Sequence, residues 1–131
     1  MVHSIIKKLA LRRSQRVKSQ LEEVYSTLPC SAYKLNTAQA IEYLNKIHLI
    51  LYNSKPHYFF DRQHTTENGS FFFRYTHVAD AAIREDIPYV LHELGDLIHF
   101  HDILQANVYF CIMDVLERVR TIPAKGDSGQ I

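Results

Sequence analysis

The sequence predicts a mainly helical α+β domain, with two N-terminal helices, a central antiparallel β-hairpin, and then one long kinked helix or two C-terminal helices. Three observations predict it. Apolar residues recur at three- and four-residue steps on both sides of the middle of the chain, the spacing of one helix face. Two short aromatic runs in the middle flank an Asn-Gly pair, which favours a tight hairpin turn. The chain has 131 residues, 47% of them hydrophobic and 22% charged, the balance of one packed domain rather than a disordered chain.

The first helix is expected from about Ser4 to Leu28, where Ile6, Leu9, Ala10, Val17, Leu21, Val24 and Leu28 share a face. Pro29 stops it, since proline lacks an amide donor and clashes with the preceding turn. Asn36 or Thr37 can cap the second helix, whose inner face carries Ile41, Leu44, Ile47, His48 and Leu51. The runs Tyr58 to Arg62 and Phe71 to Thr76 then favour strand, with Asn68-Gly69 as the turn between them. In that register Phe60, Phe71, Phe73 and Tyr75 share the face that covers the core. After the hairpin, Pro88 suits a first helical turn with Asp86 as its cap. The stripe Val90, Leu94, Leu97, His101, Leu104, Val108, Cys111, Val115 and Val119 follows, and a break is expected near Asp102, where Gln105 completes a capping box. The expected core is Leu21, Val24, Leu44, Leu51, Leu94, Leu97, Leu104, Val108 and Val115. Residues 1–122 form one globular domain and 123–131 a flexible tail.

Charge and cysteine usage narrow the function classes. The formal net charge is +1, short of the strongly basic footprint of a dedicated nucleic-acid binder. The charge is unevenly spread, however, because Lys7, Lys8, Arg12, Arg13, Arg16 and Lys18 precede the first acid, Glu22. Lys8, Arg12 and Arg16 fall four apart as a basic stripe able to meet an acidic partner or the phosphates of a nucleic acid, and Arg74 in the hairpin adds a further contact. Cys30 and Cys111 lie far apart among apolar neighbours and read as buried free thiols, with a single disulfide left open. The N-terminal charge is followed by only a short apolar stretch, unlike a secretory signal, so a cytoplasmic location is expected. Of the four glycines two lie in the tail, so neither a phosphate loop nor a dinucleotide fingerprint is present.

The segment His92-Glu93-Leu94-Gly95-Asp96-Leu97-Ile98-His99-Phe100-His101-Asp102 offers the most chemistry. His92, Asp96 and His99, spaced by four and three, project from one helical face. Two imidazoles and a carboxylate can hold a divalent metal with positions left for water, which such a metal can activate for hydrolysis. The first five residues resemble the zinc-peptidase signature His-Glu-x-x-His, with Glu93 at the base position and Asp96 where the second histidine stands. His101-Asp102 similarly resembles the paired ligands of the metal-dependent phosphohydrolases named for that dipeptide, which also use a histidine and an aspartate from other helices. Neither resemblance extends far enough to name a family. Histidines on an amphipathic helix commonly sit at the edge of a core without any ligand, so no cofactor is expected by default and a divalent metal is the alternative.

Eight tyrosines and seven phenylalanines are many for this length, and interfaces favour aromatic anchors. The function expected from sequence is therefore a non-enzymatic interaction or regulatory module, a homodimer that binds another macromolecule. No membrane partner is expected. The alternative is a small metal-dependent hydrolase centred on His92, Asp96 and His99.

Overall fold

The computed structural model describes residues 2–55, 69–103 and 105–121, with side chains from Arg12 onward. Five α-helices and one short 3-10 turn make up the described chain: α1 Val2–Ser26, the turn Ala32–Lys34, α2 Thr37–Ser54, α3 Gly69–Ile83, α4 Ile87–Phe100 and α5 Ala106–Thr121. No strand occurs among the described residues. The central hairpin, and with it the α+β class, is overturned: the run Phe71 to Thr76 lies inside α3. The run Tyr58 to Arg62 and the residue Asn68 lie outside the described residues, as do the side chain of Lys8, all of Leu104 and the tail from 123 to 131.

The reason for the correction is a period hidden by composition. Phe71, Val78 and Ala82 are buried and Tyr75 is half-buried, so the core-facing residues recur at four, three and four, as a helix requires. The consecutive phenylalanines obscure that stripe because aromatic runs carry strand preference without alternation. Phe73, expected on the core face beside Phe71, is 69% exposed while Phe71 is 0% exposed.

Local signals set the other ends as the sequence indicates. The Asn36 side chain accepts from the Gln39 amide at 2.8 Å, and the Gln39 side chain returns a bond to the Asn36 amide, a reciprocal cap that satisfies two otherwise unpaired donors. Glu85 takes φ 59° at the end of α3. There the Asp86 amide donates to Ala81 O at 2.9 Å and the Glu85 amide to Ala82 O at 3.0 Å, closing the helix in a left-handed cap. Asp86 then caps α4, its carboxylate accepting from the Tyr89 amide. The C-terminal stripe is broken after Phe100 and resumes at Ala106, where a break near Asp102 was expected.

Helix α4 is the hub. It packs against α1, α2, α3 and the 3-10 turn, while α5 closes on α2 and α3. Ile87, Val90, Leu91, Leu94, Leu97 and Ile98 are all buried, and the outward side of the helix carries Tyr89, His92, Glu93, Asp96 and His99. Of the expected core, Leu21, Leu44, Leu51, Leu94, Leu97, Val108 and Val115 are buried, and Val24 packs half-buried against them. No described helix is long and apolar enough to cross a membrane.

One polar cluster ties two helices together. His48, buried on α2, has Nε2 at 2.6 Å from Glu117 Oε1, and Arg120 Nη1 lies 3.0 Å from Nε2 and 3.1 Å from Nδ1. This clamp joins α2 to α5. His101 is also buried, with the Phe71 ring edge-on at 5.5 Å, and its Nε2 has no hydrogen-bond partner among the described residues. Burial, and then the positive charge of Arg74, hold its pKa below the ordinary imidazole value. The folded protein therefore binds this proton less readily than the unfolded chain. The site's full contribution to stability is present above about pH 6.5 and declines as pH falls below it, because the unfolded state protonates first. Thermal melts between neutral pH and about pH 5 should show a loss of stability in the wild type that His101→Leu reduces. Identical pH slopes for the two proteins would refute this account.

Candidate functional site

The outward ridge of α4 carries His92, Glu93, Asp96 and His99. Helical geometry puts His92, Asp96 and His99 on this ridge, while Glu93 stands about 100° around the axis and reaches back with its longer side chain. One ring nitrogen of His92 and one carboxylate oxygen each from Glu93 and Asp96 lie within 4.8 Å of one another. His92 and Glu93 are half-buried and Asp96 is exposed. His99 is not part of this three-residue cluster, although it lines the cleft beside it.

Neighbouring rings orient the cluster. The Tyr33 ring meets His92 edge-on at 5.1 Å, and the Tyr89 ring lies tilted to it at 5.9 Å. The neighbouring Glu93 carboxylate, as acceptor and as charge, raises the Tyr89 pKa.

A cleft of about 370 Å³ opens along this ridge where the end of α1 and the loop after it fold against α4. Glu22, Tyr25, Cys30 and Ser31 form one wall and His92, Gly95, Asp96 and His99 the other. No lysine or arginine lines it among the described residues. Tyr25 anchors the floor: its hydroxyl donates to Leu91 O at 2.6 Å, and burial, with the Asp96 charge second, pushes its pKa well above the ordinary phenol value. Lys18 donates to His99 O at 2.8 Å and Ser14 to Asp102 Oδ1 at 2.9 Å, fixing α1 along α4. Glu22 and Cys30 escaped the sequence reading because the chain reversal at Leu28 to Ala32 brings them in. Glu93 has a visible signal in the sequence, but as the base of the His-Glu-x-x-His-like pattern rather than as a ligand.

Cys30 is exposed and Cys111 half-buried, and both are free, so the expectation of two buried thiols fails at Cys30. Burial and the nearby Asp114 push the Cys111 thiol pKa up, away from reactivity.

Among the described basic residues named from sequence, Arg12 and Arg16 share α1 and Arg74 stands on α3. Arg12 and Arg16 are exposed on α1, and Arg16 lines a shallow cleft with Arg13, Gln20, Leu49 and Asn53 between α1 and α2. Arg13 donates to the Ser54 carbonyl. Arg74 instead stacks on the Phe100 ring, 4.0 Å from its centroid, on the flank where α3 meets the end of α4.

The remaining surface feature is aromatic. Phe72 and Phe73 of α3 are 49% and 69% exposed, and Phe110 of α5 is 57% exposed. Tyr75, Phe110, Cys111 and Met113 line an open cleft of about 530 Å³, rimmed by Asp114 and Glu117.

Comparison with known protein families, with curated proteins and with solved structures found no match. The chemistry of the site therefore rests on its own residues.

Proposed function

We propose that this domain is a non-enzymatic binding module that acts as a homodimer, two copies meeting through the aromatic face of α3 and α5. The observation that carries this reading is the exposure of Phe110 in the cleft that it lines with Tyr75 and Met113, together with the exposure of Phe72 beside Tyr75. Phe72 and Tyr75 stand three apart on α3 and so adjoin on its surface. Single exposed aromatics are ordinary, whereas a contiguous group of them marks an interaction site.

A second copy fits the charge pattern. Asp114 and Glu117 rim the cleft, and Asp114 and Arg118 both act on the Tyr75 hydroxyl, so the face carries both signs. A twofold axis pairs such a face with itself, and a net charge of +1 sets up little repulsion between copies. Arg12 and Arg16 stay exposed on α1, where they can meet an acidic partner or nucleic acid without competing for the dimer face.

The test is sedimentation equilibrium of the full chain. The wild type is expected at twice the monomer mass, and Phe72→Ser with Phe110→Ser is expected at the monomer mass with an unchanged helical circular dichroism spectrum. A wild type that stays monomeric at high concentration would overturn the dimer. For the basic surface, binding to an acidic ligand should weaken with salt and with Arg12→Ala and Arg16→Ala together.

A further inference from the structure

The outward ridge of α4 combines ligand types, spacing and charge in a way that the dimer reading leaves unused. His92, Glu93 and Asp96 bring one imidazole and two carboxylates within 4.8 Å of one another. One imidazole and two carboxylate ligands match the charge of a divalent ion, and no lysine or arginine is among the described lining of the adjoining cleft, while Lys34 and Arg84 lie over the flanking Tyr33 and Tyr89 rings. We propose that these three residues bind a zinc-class divalent cation, with its fourth position open to the cleft that Cys30 and His99 line.

The geometry favours this cation class over a hard one. Calcium seeks six to eight oxygens, and magnesium a near-ideal octahedron of oxygens, whereas imidazole is a good ligand for zinc and its neighbours. Tetrahedral ligation at bonds of about 2.0–2.1 Å puts ligand atoms about 3.4 Å apart. Small rotations of three partly exposed side chains close that difference without moving α4. An outer contact also holds one of the ligands: the Tyr33 ring meets the His92 imidazole edge-on at 5.1 Å. Such partners orient a ligand before the ion arrives. The ligand set differs from the sequence-derived one by exchanging His99 for Glu93.

The site is independent of the dimer, since it lies on α4 beside α1 while the aromatic face belongs to α3 and α5. The experiment is calorimetric titration of the untagged full-length protein with zinc chloride. One ion per chain is expected, with affinity lowered at least about tenfold by His92→Ala and by Asp96→Asn, and by no more than about threefold by His99→Ala. Asp96→Asn changes one exposed side chain at constant size, so circular dichroism should show it folded. Absence of zinc binding by the wild type would overturn the proposal. So would binding that survives the double variant His92→Ala, Asp96→Asn at wild-type affinity, because the ion would then sit elsewhere.

Discussion

Phe71→Ala is expected to lower the unfolding free energy by about 3–5 kcal/mol, as for other large aromatic truncations in a close-packed interior. Phe73→Ala, two residues on, should change it by no more than roughly 0.5 kcal/mol. Phe71 is fully buried, stacked on Tyr75 at 5.9 Å and edge-on to His101 at 5.5 Å, so truncation leaves a cavity between α3 and the end of α4. Phe73 faces outward and touches His77 edge-on at 4.8 Å. A strand would put these residues on the same face and make their losses comparable. Chemical denaturation of the two variants separates the cases: losses of similar size would contradict a helix in this segment, and a large gap supports it.

The contrast shows where the fold was legible. Ends governed by local chemistry could be read directly: the Asn36 cap, the Asp86 cap with Pro88 behind it, and the interruption near Asp102 all depend on residues within a turn of one another. α3 could not be read the same way. Its stripe Phe71, Tyr75, Val78 and Ala82 is helical, but three consecutive phenylalanines and a preceding Asn-Gly pair spoke for strand and turn, and burial against α4 and α5 decided otherwise. Packing overrides propensity when the apolar period is present, even where it is weakly displayed.

The candidate site divides along the same line. His92, Asp96 and His99 could be named because helix periodicity alone aligns them, and all three do line one cleft. The tighter grouping takes Glu93 instead of His99, a choice set by side-chain reach rather than by angle around the helix. The opposite wall, with Glu22, Tyr25 and Cys30, exists only because α1 ends and the chain doubles back onto α4. No spacing within the sequence encodes that approach, although one residue records it.

That residue is Gly95, and Gly95→Ala is expected to destabilise the protein by about 1–3 kcal/mol, the cost of overpacking a close contact. Considered as a helix alone, α4 should gain roughly 1 kcal/mol from the change, because glycine is a poor residue in a helix interior. The sign is reversed by α1. A Cβ at Gly95 would lie 2.9 Å from Tyr25 Cε1 and 3.1 Å from Cζ, and the ring cannot swing away without breaking its hydroxyl bond to Leu91 O at 2.6 Å. The methyl group must therefore push the two helices apart along the floor of the cleft. Combining Gly95→Ala with Tyr25→Ala tests the mechanism, since removing the ring removes the obstacle. The double variant should be more stable than the sum of the single losses predicts, with coupling of about 0.5–3 kcal/mol between touching residues. If the losses simply add, the closeness of α1 to α4 is not what requires glycine. If they couple, the cleft wall and the stability of the domain depend on the same contact.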